Sequence, residues 1–167
     1  MAYELIETIE VGSGGAASIE FTSIPQDGVD LVCKMSLRGG TGSSQLLQFR
    51  LNSDTGTNYS VIRLVGDGSS VGSFGGTGNT ASFLGAISSS SDTASTFSNS
   101  HMYISNYTST TNKSIGGDAV SENNATFARQ DISATGYTTT SPITSILLYP
   151  INGTLEQYST ASLYKIY

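Results

Sequence analysis

The sequence predicts an all-β fold: an antiparallel, jelly-roll-like β-sandwich of about ten short strands. Three observations support it. Apolar residues recur at every second position in short segments, which is the period of a half-buried strand. Turn sequences rich in Gly, Asn and Pro separate those segments. No segment shows the helical spacing that the crossovers of a parallel sheet require, so residues 1–167 are expected to form a single β-sandwich domain.

The strand-like segments occur along the entire chain. Residues 3–11 are expected to form the first strand and residues 17–24 the second, joined into a hairpin by Gly12-Ser13-Gly14-Gly15. Further segments of this kind occupy residues 31–37, 47–51, 61–65, 81–87, 101–105, 143–149 and 161–167. The Ser-rich residues 88–100 are interpreted as an exposed loop within the domain.

The last of these segments carries apolar side chains on both faces. Leu163 should face one side of the strand, and Tyr164 and Ile166 the other. One face of a single sandwich cannot cover both. The sequence therefore predicts an interior strand of a sheet whose outer face meets a neighbouring subunit.

Composition and charge restrict the possible partners. Charged residues make up only 12% of the chain, and the formal net charge is −6. Because a phosphate backbone attracts basic surfaces, nucleic acid is not an expected partner. Cys33 is the single cysteine and lies in an apolar segment, so it is predicted to be a buried hydrophobic residue. No apolar run could span a membrane and no basic signal-peptide region begins the chain, so synthesis in a cytoplasm is expected.

The residues that catalysis requires are scarce. His101 is the only histidine, so a Ser-His-Asp triad would have to use it, and it is interpreted as an ordinary strand residue. Gly68-Ser69-Ser70-Val71-Gly72 matches the G-x-S-x-G pattern, but no helix is expected after it, as a nucleophile turn requires. One His and one Cys cannot form a zinc site. The sequence predicts a protein that is not an enzyme and has no cofactor or metal.

Tyrosines concentrate in the second half of the chain. A tyrosine contributes a large contact area with little rotamer entropy, so these residues are typical of binding surfaces. The predicted contact surface consists of Tyr103, Tyr107, Tyr149, Tyr164 and Tyr167. Aromatic residues also form platforms for carbohydrate, and the sequence leaves a glycan ligand open.

Three stretches resemble a known family. They are residues 3–9 continuing into 14–25 (Gly-Gly-Ala-Ala-Ser-Ile-Glu-Phe-Thr-Ser-Ile-Pro), residues 50–60 (Arg-Leu-Asn-Ser-Asp-Thr-Gly-Thr-Asn-Tyr-Ser) and residues 159–166 (Ser-Thr-Ala-Ser-Leu-Tyr-Lys-Ile). They are similar to short virion structural proteins of tailed bacteriophages, which are common in aquatic and cyanobacterial phages. The likeness covers most of the chain in order and is weakest in the middle.

The resemblance implies a function in the virion. The expected role is that of a capsid decoration (cement) protein that binds the outer capsid surface, as a homotrimer, with the major capsid protein or other virion proteins as partners. The alternative is a tail-fibre or head-fibre module that binds a glycan or receptor on the host surface. The resemblance implies no catalytic residues.

Overall fold

The computed structural model describes residues 2–42, 45–122 and 128–167, and within these ranges every regular element is a β-strand. Twelve antiparallel strands form two sheets of eight and four strands, which confirms the predicted all-β sandwich. Among the described residues there is no helix with the length and apolar character needed to cross a membrane.

The strands follow one another along the chain with short connections. Their bounds are β1 Tyr3–Glu10, β2 Ile19–Phe21, β3 Asp30–Leu37, β4 Gln45–Leu51, β5 Tyr59–Gly66, β6 Val71–Asn79, β7 Ser82–Ile87, β8 Ser98–Ile104, β9 Lys113–Glu122, β10 Ala128–Tyr137, β11 Ile146–Pro150 and β12 Thr160–Ile166. The larger sheet has the order β1-β12-β3-β8-β9-β10-β5-β6, and the smaller sheet has the order β2-β11-β4-β7.

The strand pairing has the nested pattern of a jelly roll. β1 pairs with β12, β2 with β11, β3 with β8 and β4 with β7. Each pair thus joins a strand from early in the chain to a later one, and successive pairs lie in the larger and the smaller sheet in turn. Within the sheets, β12 also pairs with β3, and β11 with β4. These eight strands form the jelly roll. Two inserted hairpins, β5–β6 and β9–β10, extend the larger sheet beyond β8.

The first two strands do not form the predicted hairpin. β1 belongs to the larger sheet and β2 to the smaller one, and the intervening glycines carry the chain from one sheet to the other. Gly15 has a φ of +76°, and a Cβ there would lie 2.7 Å from the carbonyl oxygen of Leu155. Glycine is required because the chain passes this close to the segment before β12, where Ala16 and Leu155 form a β-bridge.

A single apolar core lies between the two sheets. Leu47, Phe49 and Leu51 of β4 are fully buried in this core. Cys33 on β3 is also fully buried there, which confirms the prediction that it is a buried hydrophobic residue. Burial raises the pKa of the Cys33 thiol to about 12. β12 is an interior strand between β1 and β3, as predicted, with Leu163 buried in the core and Tyr164 half-buried on the opposite face.

Candidate functional site: the outer face of the larger sheet

The face of the larger sheet that points away from the smaller sheet is called here the outer face. Cross-strand register places one residue from each strand in a continuous row across it. That row reads Leu5, Tyr164, Val32, Tyr103, Gly116, Ala134, Ile62 and Gly75. No charged residue occurs in it, so an apolar strip crosses all eight strands.

A cluster of large aliphatic side chains lies on β5 and β10. Ile62, Leu64 and Ile132 are 59%, 49% and 55% exposed, and Ile132 lies directly opposite Leu64. Ala134 lies opposite Ile62 and makes the cluster continuous. We call these four residues the apolar patch. Contiguous apolar area on a regular sheet face typically marks a site of interaction with another molecule.

On β10, beneath this patch, polar residues face the interior and apolar residues face outward, which is the reverse of the usual arrangement. Its inward-facing residues Asp131, Ser133 and Thr135 are buried, whereas Ile132 on the same strand is exposed. The inward polar groups have partners: the Thr135 and Ser82 hydroxyls are 2.5 Å apart, and the Ser133 hydroxyl donates to the Gly117 carbonyl at 3.3 Å. Because those polar atoms are satisfied, the strand can keep polar residues inside and present apolar ones to the outside.

An ion-paired carboxylate fixes the same two strands together. Asp131 is fully buried and lies 2.8 Å from Nε of Arg129 and 3.3 Å from Nε of Arg63 on β5. Burial is the largest influence on the Arg63 guanidinium and lowers its pKa, while the Asp131 carboxylate raises it. A Cβ on Gly85 would lie 2.8 Å from Cβ of Asp131, so glycine lets β7 pack closely beneath this site.

A shallow groove of about 730 Å³ adjoins the apolar patch. Its floor is formed by Gly116, Ala134 and Gly136, and Tyr103 and Ile62 rise on either side. A Cβ on Gly116 would meet no atom within 4 Å, so this glycine leaves the groove open. The Tyr103 hydroxyl donates to the Asp30 carboxylate, which raises the pKa of Tyr103 to about 12 and fixes the ring at the edge of the groove.

The remainder of the outer face is polar. The row beside the apolar strip continues from Ile132 through Asp118, His101 and Lys34. His101 Nδ1 lies 3.7 Å from Asp118 Oδ1, and both side chains are partly exposed. His101 is thus a strand residue that faces a neighbour, as predicted. The outer face has an apolar half on β5 and β10 and a polar half on β3, β8 and β9.

The predicted tyrosine surface is only partly assembled. Tyr103 and Tyr164 lie in the same row on either side of Val32. Tyr149 lies on β11 in the other sheet, where the Arg50 guanidinium is 5.3 Å from its ring centroid. Tyr167 is 49% exposed just after β12 and donates to the Glu4 carboxylate at 2.6 Å.

Tyr107 does not belong to a contact surface. It is fully buried, its hydroxyl donates to the Pro25 carbonyl, and it accepts from the Gly28 amide at 3.2 Å. The prediction failed for this residue because a tyrosine that joins core and loop has the same local sequence features as one that binds a partner.

The G-x-S-x-G segment forms a hairpin turn between β5 and β6. The Asp67 carboxylate accepts hydrogen bonds from the backbone amides of Ser69 at 3.0 Å and Ser70 at 2.7 Å, and the chain continues as a strand. A nucleophile turn would instead lead into a helix. Among the residues with described positions, no group of three or more His, Cys, Asp or Glu side chains could hold a metal ion.

No family model matches the sequence, and neither curated proteins nor solved structures give a significant match. The fold and the outer face are therefore the basis of the functional proposal.

Proposed function

We propose that the protein is a non-catalytic structural protein of a bacteriophage virion, most simply a decoration protein that docks its outer face on the outer surface of the capsid. The observation that carries this proposal is the apolar patch, where Ile62, Leu64 and Ile132 are each about half exposed side by side. The resemblance of three sequence segments to short phage virion proteins supplies the biological setting.

The docking half of the outer face lacks charge. The outward positions of β5 and β10 along the patch are Ser60, Ile62, Leu64, Gly66, Gln130, Ile132, Ala134 and Gly136. Burying ionised groups without matched partners costs several kcal/mol, whereas small neutral residues desolvate at much lower cost. Because this surface has no charged residues, another protein can cover it without providing ion-pair partners.

The patch alone gives weak binding. Full burial of a large aliphatic side chain contributes about 1.5–3 kcal/mol, so burying the exposed halves of three contributes about 2–4 kcal/mol. Association itself costs at least about 4 kcal/mol. A single patch is therefore insufficient, and stable attachment needs further contacts or several linked copies on a repeating lattice, where avidity adds to weak contacts. A capsid surface offers such a lattice.

Binding to virions tests the proposal. Cryo-electron microscopy of the phage that encodes the protein should show density for the β-sandwich on the capsid, with the patch turned towards it. Purified Ile62→Lys and Ile132→Lys variants should fold but fail to co-sediment with particles stripped of the native protein. Ile151→Lys is the matched control because Ile151 is 42% exposed just after β11 of the smaller sheet. Density confined to the tail, or undiminished binding of the patch variants, would contradict the proposal.

A fibre module that binds host glycan is the second candidate, and one observation favours it. Tyr103 and the hydroxyl-bearing residues Ser60, Thr77, Ser105 and Ser114 line the groove together. An aromatic ring beside several hydroxyl groups suits a sugar ring. On this alternative, Tyr103→Ala would abolish binding to host polysaccharide, and the gene would lie among fibre genes rather than beside the major capsid gene.

A further inference from the structure

The larger sheet ends in two unlike edges, β1 and β6. An edge strand exposes unpaired backbone N–H and C=O groups, and proteins usually protect such edges from pairing with other chains. The difference between these two edges indicates which one is built to be paired.

β1 carries the protection expected of a free edge. Glu4, Glu7 and Glu10 are spaced along its eight residues, and a bulge interrupts its register between Leu5 and Glu7. A second copy of β1 laid against it would bring carboxylates close together, and like charges opposite one another destabilise a strand pair.

β6 lacks the charged residues that protect β1. Its nine residues, Val71–Asn79, include no charged residue and no proline, and seven of them are exposed. Val71 is 86% exposed and Phe74 is 56% exposed. We infer that β6 is the site at which a second copy of this protein pairs, strand β6 against strand β6 in antiparallel orientation, so that the two larger sheets become one.

The side chains of β6 favour a second copy over an unrelated strand. Phe74 lies on the same face of the strand as Gly72 and Gly76, and its own ring covers Gly72, where a Cβ would lie 3.0 Å from that ring. The Phe74 side chain is nevertheless 56% exposed, so a strand paired with β6 would cover it. In a register centred on Phe74, residues 72–76 of the two copies pair and the two Phe74 rings lie directly opposite each other. This arrangement buries both rings, and such aromatic pairs stabilise neighbouring strands.

The regular part of β6 is long enough for pairing. From Val71 to Gly76 it follows β5 residue by residue, and the register shifts only beyond that, near Gly78, whose φ is +69°. Six residues extend about 20 Å at 3.4 Å per residue, which is the length of a typical strand. Because of this shift, a second strand can pair in regular register only with residues 71–76 of β6.

The pairing enlarges the proposed docking face but does not depend on it. β5, which carries Ile62 and Leu64, is the neighbour of β6. Joining two copies at β6 therefore places both apolar patches in one continuous sheet, formed by the two eight-stranded sheets. The arrangement is two-fold, because a strand paired antiparallel with its own copy has a two-fold axis between them. It therefore differs from the homotrimer that the family resemblance implies.

Sedimentation velocity and native mass spectrometry of the full-length protein over a wide concentration range test the inference. A dimer is expected. Phe74→Lys and Ser73→Lys should each raise its dissociation constant at least about tenfold, because they remove an anchor or place like charges across the pair. Ser73→Lys guards against a folding artefact, since Phe74 also packs against the Arg63 guanidinium at 5.4 Å. Leu5→Lys on β1, of matching exposure, should leave the dimer unchanged.

Hydrogen exchange gives an independent measurement. Amides of β6 should become protected as the dimer forms, while those of β1 should not change. A protein that stays monomeric, one that forms a trimer, or a dimer unaffected by both β6 variants would overturn the inference. Ile62→Lys should abolish capsid docking but leave the dimer intact, so failure of one proposal is distinguishable from failure of the other.

Discussion

Replacing Asp131 by Asn removes a buried negative charge while preserving the shape of the side chain. Asp131 is fully buried between the guanidinium groups of Arg63 and Arg129, whose side chains are 11% and 25% exposed. Removing one partner of a buried ion pair typically destabilises a protein by 3–5 kcal/mol, because the remaining charge has lost its counterion. Arg129 reaches water in part, so a value at or below the lower end, about 2–3 kcal/mol, is expected here.

That loss is measurable in two ways. For a domain of 167 residues, each kcal/mol lowers the melting temperature by about 2–4 °C, so Asp131→Asn should melt about 4–12 °C below the parent. Urea denaturation followed by circular dichroism should show a lower midpoint with an unchanged slope, provided that unfolding stays two-state. A typical total stability is about 5–15 kcal/mol, so the variant should still fold.

The matched control is Asp118→Asn on the neighbouring strand β9. Asp118 is 48% exposed and its partner His101 is 40% exposed, so a change of at most about 1 kcal/mol is expected. If Asp131→Asn were as stable as Asp118→Asn, the buried carboxylate would not hold β10 against β5. The conclusion that the ion pairs of Asp131 fix the two strands that carry the apolar patch would then be wrong.

The remaining predictions concern three other sites. Cys33 should not react with a thiol reagent until the protein unfolds, because it is buried and its pKa is raised to about 12. Tyr107→Phe should destabilise the fold by about 1–3 kcal/mol in urea denaturation, since the Pro25 carbonyl loses its donor, whereas Tyr158→Phe, at 62% exposure, should be neutral. Hydrogen bonds from Ser69 and Ser70 lower the pKa of Asp67. Their contribution is present above the unfolded pKa of about 3.9 and is lost as pH falls further, so Asp67→Asn should lack this part of the acid sensitivity in a pH series of thermal melts.

The jelly-roll strands were accessible from sequence because each buries one face. Strand β3 alternates buried and exposed residues from Cys33 to Leu37, and β4 alternates buried and half-buried residues throughout, as the period-two pattern predicts. The connection between β1 and β2 was not accessible, because a glycine-rich turn can close a hairpin or cross between sheets. Which of the two occurs depends on the pairing of β1 with β12, at the other end of the chain.

The strands that the sequence did not reveal belong to the inserted hairpins. β6 contains four glycines among its nine residues, Val71–Asn79, and so has too few side chains to show a period. β10 shows the opposite of the expected pattern, since Asp131, Ser133 and Thr135 face inward. The apolar patch is not evident from sequence for a related reason: residues 61–65, Val-Ile-Arg-Leu-Val, form one short apolar segment that does not show which side chains face outward. Apolar residues at both odd and even positions of a strand are typical of a strand that is covered on both faces.

The two features proposed to bind other molecules lie largely on strands that the jelly roll does not need. Ile62 and Leu64 are on β5, Ile132 is on β10, and Phe74 is on β6, all in the two inserted hairpins. β7 packs against β9, β10 and β5, which supports the inner side of the patch, while β6 extends one strand further. Extra strands that served only to enlarge the core would be expected to turn apolar residues inward. The inserted strands contribute Tyr59, Ile115 and Tyr137 to the core. They also turn Ile62, Leu64 and Ile132 outward and end in an uncharged edge, which is the arrangement expected if the insertions also bind a capsid surface and a second copy of the protein.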